Sequence, residues 1–189
     1  KENPLVNLAP FLAYVFVTTF TPGPNNIMAM SNAMRSGFKK TLGFLGGLFA
    51  GFLVVMLICG LLNFILLNFV PQVKNWLNIL GAAYMVYLAV HVVTAKPVAE
   101  NGGPDGLNTF WGGFSMQFLN LKVILYGITI YSNFIVPAFQ NPLALAWFAP
   151  ILALVGFISG SCWAMGGNLF RKLIHRYERG FNLAMGALL

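Results

Sequence analysis

Between Asn3 and Met34 the chain carries no charged residue, and the rest of the sequence repeats that pattern: long apolar runs parted by short polar or basic segments. Such runs leave few folds open. Soluble domains are about a quarter charged, because charged side chains clothe their surface. Here 8% of the 189 residues are charged and 58% are hydrophobic, too little charge to cover a globule of this size. Disorder is excluded as well, since a chain with 18 Phe would collapse or aggregate in water. Lipid is the solvent that makes the sequence sensible. The net charge of +7 lies in short clusters between apolar runs rather than in one stripe, so it reads as an orientation signal and not as a nucleic-acid surface.

The first span is expected over roughly Leu8 to Met30, interrupted at Thr21-Pro22-Gly23-Pro24-Asn25-Asn26. Lys1 and Glu2 ahead of it resemble the start of a signal peptide, but no Ala-x-Ala site follows and the run continues into the Pro/Gly break. A basic loop with Arg35, Lys39 and Lys40 leads to a second span, about Thr41 to Leu67, and a third covers about Trp76 to Thr94. Residues 96–108, with Pro97, Gly102, Gly103 and Pro104, read as a polar hinge loop. The fourth span runs from about Thr109 to Ser132 and the fifth from about Leu143 to Phe170. Arg171, Lys172, His175, Arg176 and Arg179 form a final basic loop. The stretch from Gly180 to Leu189 is too short for the roughly 20 residues of a crossing helix, so the sixth span is expected to be truncated, with a re-entrant end as the alternative.

Basic residues fall in the odd-numbered loops, with only Lys1 and Lys74 on the other side. The positive-inside rule then places the N-terminus outside the cytoplasm. The expectation is an all-α polytopic membrane protein of six helices in a 3+3 inverted-topology repeat. It forms one transporter domain over 1–189, with pseudo-repeats of about 5–95 and 106–189. Many secondary transporters are built this way.

Two anomalies carry candidate chemistry. Pro22 and Pro24 lack amide hydrogens and Gly23 tolerates unusual backbone angles, so no regular helix passes through them. Freed backbone groups at membrane depth are tolerated only where protein buries them or a polar cavity uses them. Asn25 and Asn26 add side-chain donors and acceptors there. The second anomaly is Gln117-Phe118-Leu119-Asn120-Leu121-Lys122, whose Lys122 is the one basic residue well inside a span. A buried ammonium is costly unless paired or hydrated, and Glu2, Glu100, Asp105 and Glu178 all map to edges or loops. A substrate carboxylate is a fitting partner. In an inverted repeat the two segments meet near the pseudo-twofold axis, where a helix resuming after Pro24 points its positive end at an anion. A zwitterionic amino acid suits that site: Lys122 and free amides for the carboxylate, broken-helix carbonyls and Asn side chains for the ammonium.

Other features are blander. Gly43, Gly47 and Gly51, and Gly156 with Gly160, are spaced for close helix packing. Tyr84, Tyr87 and Tyr131 are either cavity-lining hydroxyls or interface aromatics, with Tyr84 taken as a candidate substrate contact. His91, near the cytoplasmic end of the third span, titrates near neutral pH in ordinary surroundings. Cys59 and Cys162 lie in apolar runs without a CxxC partner and read as core residues. No metal, nucleotide or hydrolase signature is present, so no cofactor and no enzyme activity are expected.

Thr21-Pro22-Gly23-Pro24-Asn25, the turn Arg35-Ser36-Gly37-Phe38, Leu80-Gly81-Ala82-Ala83-Tyr84, Phe110-Trp111-Gly112-Gly113-Phe114 and Asn120-Leu121-Lys122 together resemble the LysE/RhtB family of bacterial amino-acid exporters. Leu121 stands where many relatives have proline, so the resemblance carries over no second proline break. Phe118 to Gly127, with Cys162-Trp163-Ala164, is most similar to the branch that exports cysteine and O-acetylserine. The resemblance implies a bacterial inner-membrane protein that exports small neutral amino acids from the cytoplasm on the proton-motive force. Homoserine, threonine or leucine are alternative substrates, and a non-transporting scaffold is the alternative class. With no carboxylate in a span, proton coupling falls to Lys122, to His91 or to the substrate's own protonation. The small-residue faces also leave room for a homodimer.

Overall fold

The computed structural model describes the backbone at residues 8–69, 108–139 and 141–188, and the side chains at 8–65, 108–139 and 141–167. Between 69 and 108 it describes only Trp76, Ile79, Ala83, Val86 and Val90, all helical. Tyr84, Tyr87, His91, Lys74, Lys96 and the expected hinge loop before Asn108 therefore lie outside the described residues.

Every described element is a helix. The apolar run from Leu8 forms α1, Leu8–Phe20, and the chain resumes as α2, Pro24–Ser36. The break follows from the two prolines, each of which disfavours helical geometry in the residue before it. Pro24 then suits the first turn of α2, where an amide hydrogen would have no partner in any case. Gly37 ends α2 with φ of 83°, the left-handed region that favours glycine. It is the whole connection to α3, Phe38–Phe69. The expected basic loop is thus reduced to one residue, with Arg35 in the last turn of α2 and Lys39 and Lys40 in the first of α3.

The fourth expected span is also broken. It divides into α4, Phe110–Leu119, and α5, Leu121–Ile130, at Asn120 with φ −85° and ψ 96°. Proline is not needed, because the Asn120 side chain accepts from the Lys122 amide at 3.1 Å and caps α5. A π-helical turn, Tyr131–Ile135, and the short α6, Val136–Ala138, complete this crossing. Then α7 runs unbroken over Pro142–Leu188. The expected basic loop at Arg171–Arg179 is helix instead: it holds no proline, and the nearby glycines cost only about 1 kcal/mol each relative to alanine.

Among the described residues, three helical stretches are long and apolar enough to cross a bilayer: Phe38–Ile65, Leu121–Ala138 and Pro142–Gly167. The 28 residues of the first span about 42 Å at about 1.5 Å per residue, against a hydrocarbon core of about 30 Å. The distribution of polarity agrees. Leu61, Trp111, Leu143, Trp147 and Met165 face outward, whereas Thr18, Thr21, Asn26, Gln117, Asn120 and Ser159 are buried. That inside-out arrangement suits lipid.

Helix α3 is the spine, with α2, α4, α5 and α7 packed on it. Glycines bring α3 and α4 backbone to backbone. A Cβ on Gly47 would stand 2.9 Å from the Phe114 amide nitrogen, and one on Gly113 would stand 2.9 Å from that of Leu48. One apolar cluster joins Tyr14, Phe52, Met56, Cys59, Tyr126, Ile130 and Leu152; another joins Ala29, Phe44, Leu45, Leu48 and Ala164. Helix α1 belongs to the first cluster and α2 to the second, so the α1–α2 break falls between them.

Candidate functional site

The break leaves the last carbonyls of α1 without intrahelical donors, and side chains from three other helices and from Thr21 in the break itself supply them. Thr18 O accepts from Thr21 Oγ1 at 3.1 Å. Thr19 O accepts from Asn26 Nδ2 at 2.8 Å and from Ser159 Oγ at 2.9 Å. Phe20 O accepts from Trp163 Nε1 at 3.2 Å. Thr21 O accepts from Asn26 Nδ2 at 3.0 Å and from Lys122 Nζ at 3.3 Å. Lys122 Nζ also donates to Thr21 Oγ1 at 2.9 Å. The ammonium thus sits at the negative end of the α1 dipole, a favourable place for a cation taken out of water.

The same ammonium lies against the start of α2, since a Cβ on Gly23 would stand 3.1 Å from Lys122 Nζ. Gly23 caps α2 without a side-chain hydrogen bond. The Asn25 and Asn26 amides therefore have neither an intrahelical acceptor nor a capping side chain from Gly23. One cation and the positive end of a helix converge on one spot, which is the chemistry of a carboxylate site.

The two breaks are tied to each other. Asn25 Nδ2 donates to Gln117 Oε1 at 2.8 Å, while Asn25 Oδ1 accepts from Gln117 Nε2 at 3.2 Å and from Asn120 Nδ2 at 2.9 Å. Gln117 is fully buried, so these bonds also satisfy an amide that has no access to water.

Beside the network lies a cavity of about 50 Å³, whose lining includes Thr18, Gly23, Asn25, Lys122 and Tyr126 together with Leu48, Phe52 and Phe157. Leu48 and Phe52 are central in Phe38–Ile65, and Phe157 is near the centre of Pro142–Gly167. The cavity is accordingly at mid-membrane depth.

The structure brings Thr21, Gly23, Asn25, Asn26, Asn120 and Lys122 into this one site, with Pro22 and Pro24 forming the break. It shows the α1 carbonyls engaged by protein donors, where the sequence left them open for a substrate ammonium. Tyr131 is elsewhere, its hydroxyl donating to Leu145 O at 3.2 Å. Sequence reasoning missed Thr18, Thr19, Tyr126, Ser159 and Trp163, and it assigned Gly156 to packing although Gly156 lines the cavity. Cys59 and Cys162 are free thiols, and no metal-ligand cluster exists among the described residues.

A polytopic helical fold with paired helix breaks around a buried cation at the midplane defines a membrane transporter. The family model of the LysE type translocator matches residues 16–189, and the chain belongs to that family. It is 40% identical over 185 residues, 96% of this chain and 93% of the relative, to the cysteine/O-acetylserine efflux protein of Escherichia coli O1:K1. The proteins of the same description from Escherichia coli K12 and Shigella flexneri serotype 5b match at the same identity and coverage. No solved structure matches the chain. The protein is a multi-pass transporter of the bacterial inner membrane, not an enzyme.

Proposed function

We propose that the chain is a secondary active exporter of small neutral amino acids, cysteine and O-acetylserine foremost, driven out of the cytoplasm by the proton-motive force. The observation that carries this reading is the Lys122 ammonium, held at 2.9 Å from Thr21 Oγ1 beside the open amide end of α2. The substrate carboxylate binds between them, and the relatives named for cysteine and O-acetylserine support the substrate class. The cavity of about 50 Å³ is well short of the roughly 150 Å³ that takes benzene, a molecule of similar heavy-atom count to cysteine. Loading therefore widens it, by movement of the half-helices about their breaks.

The finer architecture follows from the same pairing. Breaks in the first helix of each half, joined through Asn25, Asn120 and Lys122, support six spans in a 3+3 inverted repeat, with pseudo-repeats of about 5–95 and 106–189. The basic residues favour an outside N-terminus. Proton coupling runs through Lys122, which exchanges its bonds to Thr21 for the substrate, with His91 as the second candidate. Lipid covers the apolar faces, and a homodimer is compatible with them. Homoserine, threonine and leucine are the competing substrates. The scaffold alternative calls for a dry, packed midplane, against which the cavity beside Lys122 counts.

The test is efflux of labelled cysteine or O-acetylserine from vesicles holding the full-length protein, with and without an imposed pH gradient. Homoserine, threonine, leucine and lysine serve as competitors. Gradient-dependent efflux supports the reading, and no movement of any amino acid by folded protein overturns it.

A further inference from the structure

The carboxylate site leaves part of the cavity lining unexplained. Thr18 and Tyr126 are each 2% exposed, and both line the cavity. Thr18 Oγ1 completes no hydrogen bond with the described residues, and the Tyr126 phenol has at most a weak one, to the Thr19 side chain beside it. Buried hydroxyls without a partner are uncommon and cost about 1–3 kcal/mol each. Both hydroxyls belong to residues that line one cavity, so a modest widening of it would bring a ligand atom or a water within their reach.

Gly156 lines the same cavity. A Cβ there would meet the Phe52 ring at 3.8 Å, ordinary van der Waals contact. Packing therefore does not demand glycine at this position, in contrast with Gly127, where a Cβ would stand 2.7 Å from Cys59 Sγ. What glycine preserves is room. A methyl group is about the size of a water, whose share of liquid volume is about 30 Å³, and the cavity holds about 50 Å³.

Resting on the exporter reading above, we propose that Thr18, Tyr126 and Gly156 form the subsite for the substrate side chain. The two hydroxyls bind a hydrogen-bonding tip such as a thiol, hydroxyl or ester carbonyl, and Gly156 sets how long that side chain can be. The subsite then selects short polar side chains over aliphatic ones of equal size. Discrimination by an unmade hydrogen bond is possible here because a methyl in that position leaves both hydroxyls dry and unpaired.

The experiment measures gradient-driven export of cysteine, its methyl isostere 2-aminobutyrate, and O-acetylserine by the full chain in vesicles. It compares wild type with Thr18→Val, Tyr126→Phe and Gly156→Ala, each checked for monodispersity. Wild type is expected to favour cysteine over 2-aminobutyrate. Thr18→Val and Tyr126→Phe each reduce that ratio by up to about ten-fold, the worth of one hydrogen bond. Gly156→Ala is expected to lower O-acetylserine export at least about ten-fold more than cysteine export. Should Tyr126→Phe fail to fold, Thr18→Val and the wild-type ratio still decide the matter. Wild type that carries cysteine and 2-aminobutyrate equally, or variants that keep the wild-type ratios, overturns the subsite. Wild type that carries none of the three overturns the exporter reading itself.

Discussion

Replacing Lys122 by methionine separates stability from transport. The ammonium makes two bonds to Thr21, at 2.9 and 3.3 Å. Hydrogen bonds to charged groups contribute about 1.5–3 kcal/mol each, so methionine forfeits about 3–6 kcal/mol. It also removes the penalty of holding an ammonium away from water, an effective several kcal/mol, and keeps most of the stem's volume. Thr21 O retains its bond from Asn26. The terms largely cancel, and thermal unfolding in detergent is expected within about 2 kcal/mol of wild type. Substrate recognition has no such offset. Losing one partner of a buried charge pair costs about 2–5 kcal/mol, which is about 30-fold to several thousand-fold in affinity. The assay pairs a thermal melt followed by tryptophan fluorescence with initial rates of gradient-driven cysteine efflux. Full export by Lys122→Met would refute the Lys-centred site. A collapsed melt with residual export in proportion to folded protein would show Lys122 to be structural only.

Three further changes probe the surrounding geometry. Gly23→Ala places a methyl 3.1 Å from Lys122 Nζ, so the lysine tip must shift; apparent affinity for cysteine is expected to fall about ten-fold, the worth of one hydrogen bond, with an unchanged melt. Asn25→Ala strips partners from Gln117 and Asn120 and strands a buried amide, so a loss of about 1–3 kcal/mol in the melt should accompany lost export. Gly113→Val drives a side chain into the α3 backbone near Leu48; a loss of at least about 1–3 kcal/mol from overpacking should appear as poor recovery of monodisperse protein, whereas wild-type recovery would contradict the close helix crossing.

Much of the membrane architecture was legible because lipid and proline impose blunt constraints. The apolar runs located α1, α3 and α7, and Pro22 with Pro24 located the first break. The second break was not legible as a break, because Asn120 makes it by capping α5 with its side chain while Leu121 presents an uninterrupted apolar pattern. The basic cluster at Arg171–Arg179 suggested a turn, yet a charged segment without proline continues a helix as readily as it ends one. Lys122 stood out by its charge, whereas Ser159 and Trp163 did not: their partners, Thr19 and Phe20, are more than a hundred positions away, and neither residue is unusual in an apolar run. Gly156 and Gly160 share one spacing motif, but a Cβ on Gly160 would meet Leu45 at 3.1 Å, while one on Gly156 would meet only the Phe52 ring, at 3.8 Å. Spacing alone does not separate packing from a cavity wall.

The most direct measurement is a solid-state NMR distance between lysine Nζ, labelled with nitrogen-15, and the carboxyl carbon of carbon-13-labelled cysteine bound to the full-length protein in lipid. Direct pairing puts the two nuclei about 3–4 Å apart, given charge-assisted N···O distances of about 2.7–2.9 Å. Strong dipolar dephasing that disappears in Lys122→Met is the predicted result. Bound cysteine without dephasing, or with dephasing that survives Lys122→Met, would contradict a carboxylate site at Lys122.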